Sequence, residues 1–325
     1  MKGQKRSMPT KSTKKRKTTK KSAKADALPH RRQCGAMQAH MRLLEEDPGF
    51  RIRQTNLEQA VRMRMATRGA LEVVKTSVIK IPVVVHVVYN TPAENIKLTQ
   101  IRSQIKVLNR DFRAKNPDKS NVPMVWRGLV ADAKIEFHLA SKDVHGNKTN
   151  GVTRTNTTRT SFGTNDSVKF TVSGGQDAWP TDKYLNIWVC KLRGGLLGYA
   201  QFPGGPQETD GVVITHTAFG TTGTATAPFN MGRTATHEIG HWLNLRHIWG
   251  DTEDCSGTDL VADTPNAAGP NFGTPSFPSL SCNNGPNGDM FMNYMDYVDD
   301  IAMFMFTSQQ VERMLTTLDN ERNTF

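Results

Sequence analysis

The residues with the clearest chemistry are His237, Glu238, His241 and His247. His237 and His241 are four apart, so on a helix their side chains lie within about 40° of each other, one turn apart. Two imidazoles so placed reach one metal ion, and three neutral imidazoles leave a tetrahedral position free for water. Glu238, beside the first histidine, then faces the same cleft and takes a proton from that water in a metal-assisted hydrolysis. His247 follows His241 by six residues, and on a continuing helix it would sit about 240° around and miss the ion. The helix must therefore stop and the chain turn back. A positive φ is wanted near position 244, where Asn244 is the best occupant after glycine.

Several elements must hold this group. The β-branched run 78–89 reads as a buried strand. Ile101, Ile105, Leu108 and Phe112 mark one face of a helix, with Thr99 as its N-cap. Further strands are expected over Lys134–Leu139, Val168–Val172, Tyr184–Cys190, Gly198–Phe202 and Gly211–Thr215, separated by Gly/Asn/Thr/Pro-rich connections. The metal-binding helix spans about 232–243, residues 250–290 are loop-like, and a last helix over Ser308–Asp319 buries Val311, Met314 and Leu315. Residues 36–74 read as helical and charged, without an obvious compact core. The class is α+β: a mixed twisted sheet with a backing helix and an active-site helix, then a smaller irregular C-terminal subdomain.

Taken together, these residues resemble the metzincin metalloproteases, whose extended zinc motif matches His237, Glu238, His241 and His247 and departs at Asn244. Their Met-turn is matched by Asn293-Tyr294-Met295-Asp296-Tyr297, with Met295 beneath the metal and Tyr297 as the tyrosine that helps stabilise the oxyanion. The chain is most similar to the pappalysin family, specifically its ulilysin-like members, over roughly residues 78–320. Segments carrying this likeness include Trp179–Leu192, Leu197–Gly205, Thr234–Asp251 and Asn293–Phe306.

The resemblance implies a Cys255–Cys282 bridge, which stiffens a loop and contributes on the order of 3 kcal/mol by chain-entropy reasoning. It also implies Ca²⁺ at Asp259 and Thr264, on a loop rich in oxygen ligands. It implies, too, that Cys34 in Arg32-Gln33-Cys34-Gly35 is a cysteine switch, a thiolate in the fourth zinc position of a latent precursor. Residues 1–30 are then a basic tail, 31–70 a pro-segment and 71–325 the catalytic domain, divided near residue 247. Thr67-Arg68 is a suitable maturation bond, since ulilysin-like enzymes cleave before Arg or Lys. An edge strand at Gly198, Tyr199 and Ala200 would pair antiparallel with substrate. Asp299 or Asp300 would attract the basic side chain. Cys190, in an apolar strand, reads as a buried small hydrophobe.

The bulk numbers narrow the rivals. The chain of 325 residues has a net charge of +12, but residues 1–24 carry eleven Lys or Arg and no acid. Without them, 31 basic residues (42 less those eleven) face 30 acidic ones, so the basic character belongs to a solvated tail. That tail lacks the aromatics of a nucleic-acid reader, which argues against the rival reading of a nucleic-acid-binding protein. A catalytically inactive metal-binding module is disfavoured by the presence of Glu238. No run of 18 apolar residues spans a membrane. The expectation is a secreted enzyme acting on proteins or peptides, although no apolar export signal follows the first charges.

Overall fold

The computed structural model describes Met1, Gly3 and residues 31–67 and 77–325. The lysine-rich tail and Arg68 of the expected maturation bond lie outside the described residues. Two helices come first, α1 (Ala36–Glu46) and α2 (Pro48–Thr67). Strand β1 (Ile79–Tyr89) and helix α3 (Leu98–Asp111) follow, then β2 (Ile135–Leu139), β3 (Val152–Asn156), β4 (Leu185–Cys190), β5 (Gly198–Ala200) and β6 (Val212–Thr215). Helix α4 (Arg233–Trp242), the short pair β7 (Phe272–Gly273) and β8 (Tyr297–Val298), and α5 (Ser308–Asp319) complete the order.

The main sheet runs β2-β1-β4-β6-β5, with β3 pairing beyond β2 along the same edge of β1. All its pairs are parallel except β5 with β6, so the sheet is mixed and β5 is an edge. From Val83 to Val88 every residue of β1 is buried, His86 included, because both faces of the strand are covered. Val83, Val85 and Val87 join Ile187, Val189, Val212 and Ile214 in the main core, which also contains Leu108 of α3 and Ile239 and Trp242 of α4. Val88 packs on the other face with Trp188, Cys190, Tyr199, Val213 and Ala39 of α1. The main core runs unbroken into Met290, Tyr294, Met295, Met314 and Leu318 near the C-terminus. Each of these large side chains withdrawn from water contributes about 1.5–3 kcal/mol before chain entropy is counted.

The strand expected at Val168–Val172 is instead two 3-10 turns, Ser167–Lys169 and Thr171–Ser173. Asp166 adopts φ 58° and its carbonyl accepts the Lys169 N–H at 2.8 Å, while Phe170 O accepts from Ser173 and Gly175. These local bonds consume the groups a ladder would need. Thr99 is not the α3 cap: Lys97 holds that position in an extended conformation, and no side chain caps the helix. β3 was not expected; Val152-Thr153-Arg154-Thr155-Asn156 is half-exposed and carries little apolar signal. α5 begins with a capping box between Thr307 and Gln310 and buries Val311, Met314 and Leu315.

Cys255 and Cys282 form a disulfide with Cα atoms 5.4 Å apart, and Cys190 is fully buried. Among the described residues, no helix is long and apolar enough to cross a membrane.

Candidate active site

α4 is buried along its whole length and packs against β5, β6 and α3. It stops where the motif requires. Asn244 takes φ 72°, its N–H bonds His241 O at 2.9 Å, and the Leu245 N–H returns to Gly240 O at 2.9 Å. That six-to-one bond is a helix-ending motif usually built on glycine. It turns the chain so that His247 comes back to the helix face.

The three imidazoles converge. His241 Nε2 lies 3.2 Å from His237 Nε2 and 3.1 Å from His247 Nε2. Each Nδ1 points outward to an acceptor: Tyr294 O at 2.7 Å for His237, Leu245 O at 2.7 Å for His241 and Asp251 Oδ1 at 2.5 Å for His247. A carbonyl only accepts, so Nδ1 of His237 and of His241 carries the proton and each Nε2 lone pair faces inward. Burial, and then the neighbouring histidines, holds the His237 pKa well below its usual value. Burial likewise lowers His241 to about 3. Neutral nitrogens with lone pairs aimed at one point repel each other unless a cation lies between. Nε2 atoms bound tetrahedrally at about 2.0–2.1 Å would be separated by about 3.3 Å. The donor set therefore fits zinc.

Cys34 Sγ completes the group: one ligand atom from each of Cys34, His237, His241 and His247 lies within 4.8 Å of the others. The thiol donates to Glu238 Oε2 at 3.3 Å and accepts the Ala36 N–H at 3.3 Å. Burial, reinforced by Glu238, raises the Cys34 pKa well above its usual value. Burial raises Glu238 to about 8, opposed by the Cys34 hydrogen bond and the Arg32 charge.

Met295 is fully buried under the helix, and a Cβ on Gly240 would come within 2.5 Å of its Sδ. Tyr297 packs edge-on to His247, with ring centroids 4.9 Å apart, and burial raises its phenol pKa. Gly198 sits opposite Glu238, where a Cβ would approach Oε1 to 2.8 Å. Tyr199 turns its ring into the core on the far face of the sheet, so it offers the cleft only backbone. Asp259 and Thr264 lie together at the C-terminal loop, Thr264 Oγ1 donating to Asp259 Oδ2 at 2.7 Å.

Residues 33–35 lie along the free edge of β5. Leu197 N–H bonds Gln33 O and Gly35 N–H bonds Gly198 O, both at 2.9 Å, in a parallel bridge. Arg32 is buried beside them: NH2 pairs with Asp300 Oδ1 at 2.6 Å, NH1 with Thr234 Oγ1 at 3.0 Å and Nε with Val298 O at 3.2 Å. Of the two candidate acids, Asp300 is the one that points inward, its other oxygen accepting the Met231 N–H at 2.7 Å. Sequence reasoning did not assign roles to Tyr294 or Arg32, and it counted Asp251 only among the oxygen ligands of the 251–264 loop. Asp251 had a signal in its i+4 spacing from His247; the Tyr294 contribution is a carbonyl, which every residue has.

A histidine trio closed from below by a buried Met-turn, on a mixed sheet with an antiparallel edge, defines a metzincin-type metalloendopeptidase. Comparison with known proteins agrees. The sequence model of the family described as pregnancy-associated plasma protein-A matches residues 169–319. An extracellular metalloprotease of Trichophyton verrucosum is 31% identical over 247 residues, covering 74% of this chain and 77% of that protein. Mature mirolysin of Tannerella forsythia in complex with a cleaved peptide superposes with TM-score 0.75 at 55% identity, covering 77% of this chain and 96% of its own. A promirolysin mutant of the same organism gives TM-score 0.82 at 49% identity, covering 90% and 95%. The chain belongs to the pappalysin family of metalloproteases.

Proposed function

We propose that this chain is the latent precursor of a secreted zinc endopeptidase that cleaves peptide bonds before Arg or Lys. The carrying observation is the convergence of three inward Nε2 atoms with the Cys34 thiol. His237, His241 and His247 would hold the zinc, and Tyr294 O, Leu245 O and Asp251 orient their rings. Bound zinc supplies Lewis acidity toward a water and the scissile carbonyl. Glu238 takes the water's proton and passes it to the departing amine. Tyr297, held by His247 and Trp249, offers its hydroxyl to the oxygen that gains charge. Met295 supports the trio from beneath.

Latency rests on residues 31–67. Cys34 takes the position that water needs and ties up Glu238. Its segment runs parallel to β5, whereas a substrate adds antiparallel, so its peptide bonds are presented with reversed polarity. The promirolysin structure matches more of this chain than the mature form does, 90% against 77%, which supports a removable N-terminal segment. Arg32 in the Asp300 pocket supports basic specificity: the pocket already holds a guanidinium. Extracellular location is supported by the Trichophyton relative's description and by the Cys255–Cys282 bridge.

Asp259 and Thr264, with nearby carbonyls, are read as a Ca²⁺ site. An unchanged melting temperature in a calcium-selective chelator would remove that element. The central test is a casein digest by the processed enzyme with and without a zinc chelator, beside Glu238→Ala. Chelation abolishes cleavage, and Glu238→Ala loses about 10²–10⁴-fold while retaining its zinc. Cleavage that survives chelation defeats the reading.

A further inference from the structure

The pro-helix α2 ends its grip on the catalytic portion at a built carboxylate site. Arg313 of α5 is 1% exposed, and its fork holds Glu58 of α2 through NH1 at 3.0 Å and NH2 at 2.6 Å. Asn244 Nδ2 donates to the same carboxylate at 3.2 Å. The fork is fixed from behind, because Arg313 Nε and NH2 also donate to Asn244 O at 3.2 and 3.1 Å. Arg246 lies beside Glu58 in the lining of a cavity of about 430 Å³. Asp259, which also feels Arg313, is engaged by Thr264 Oγ1 and the Val261 N–H. A buried, preorganised guanidinium fork with an amide donor suits a carboxylate far better than water.

We propose that Arg313 and Asn244 form an acid-binding subsite of the active enzyme, filled by Glu58 in the full chain and afterwards by an acidic side chain of the substrate, N-terminal to the cleaved bond. This rests on the endopeptidase reading above and on departure of residues 31–67. The placement comes from α4, along which the contacts of the leading segment are spaced. Arg32 touches Thr234 in its first turn, Cys34 meets the histidines midway, and Glu58 meets Asn244 just past its end. The helical rise from Thr234 to Trp242 is about 12 Å, and with the two further residues to Asn244 the span is about 15 Å, which an extended peptide covers in about four to five residues. With the basic residue after the scissile bond in the Asp300 pocket, the acid falls a few residues before the bond. Asn244 has a purpose here that glycine could not serve, since only the side chain reaches Glu58.

The test uses the full chain after it has processed to its active form. Paired fluorogenic peptides carry Arg after the cleaved bond and Glu or Gln at each of the five preceding positions. The Glu/Gln ratio of kcat/KM is taken within each enzyme, so changes in basal activity cancel. At one position the ratio is about tenfold or more in the unaltered enzyme, as expected for a charge-assisted pair, and falls below about twofold in Arg313→Met. Asn244→Gly, compatible with the same φ, lowers it about threefold and serves if Arg313→Met does not fold. A ratio near one at every position overturns the subsite while leaving the endopeptidase standing, as does a preference that survives both variants. Failure to cleave either member of any pair overturns the endopeptidase reading and the subsite with it.

Discussion

Cys34 Sγ lies 3.3 Å from Glu238 Oε2, so the leading segment engages that glutamate as well as the histidine trio. Cys34→Ser removes the thiol that the proposed latency places on the metal while keeping the shape. The full-length variant should process itself with little or no lag, read by gel time course and N-terminal sequencing of the product. A lag equal to that of the unaltered chain would argue that Cys34 is a bystander.

Asp300 binds Arg32 with both side chains buried. In the processed enzyme, Asp300→Asn should cut kcat/KM for peptides with Arg after the bond by about 100-fold, the scale of breaking a buried charged pair. Peptides with an uncharged residue there should lose much less. An equal loss on both peptides would mean that Asp300 only shapes the fold.

Gly198 faces Glu238 so closely that a new Cβ would sit 2.8 Å from its carboxylate oxygen. Gly198→Ala must push the base aside. A displacement near 1 Å is expected to lower kcat by about 100-fold, with zinc content at one per chain. Normal kcat with the substitution in place would show that the base tolerates the shift.

His86, fully buried in β1, is held between Thr153 Oγ1 at 2.8 Å and Asn186 Oδ1 at 2.9 Å. Burial lowers its pKa to about 4, against the opposing Asn186 hydrogen bond. The folded state therefore excludes a proton that the unfolded chain binds near pH 6.5. The neutral ring's contribution is fully present above pH 6.5 and lost as pH falls toward 4, about 3 kcal/mol in all. An NMR titration of the ring should place its midpoint near 4. A midpoint near 6.5 would contradict this.

The site was legible where covalent spacing dictates geometry. His237, His241 and Glu238 follow from the helix period, and the turn at Asn244 from the position of His247. Asn244 does take a positive φ. What stayed hidden depends on residues far apart in sequence or on backbone atoms. The Tyr294 carbonyl has no letter of its own, and Glu58 meets Arg313 across 255 positions. Choosing Asp300 over Asp299 needed the 3-10 turn at Asp300–Ala302, which decides which carboxylate points inward. In the sheet, β1 announced itself by a long branched run. The Val168–Val172 segment also carried branched and aromatic residues but lost its strand to local bonds, such as those from Ser173 and Gly175 to Phe170 O.

The parallel bridge of Cys34 to Gly198 has a consequence for solubility. A sheet edge with free N–H and C=O groups is a template for pairing with any other chain, and natural proteins keep such edges short or covered. Here the edge strand has three residues and is covered by residues 33–35 while the chain is intact. The leading segment thus caps that edge against self-association, and under the proposed maturation the raw edge would be exposed only in the processed enzyme.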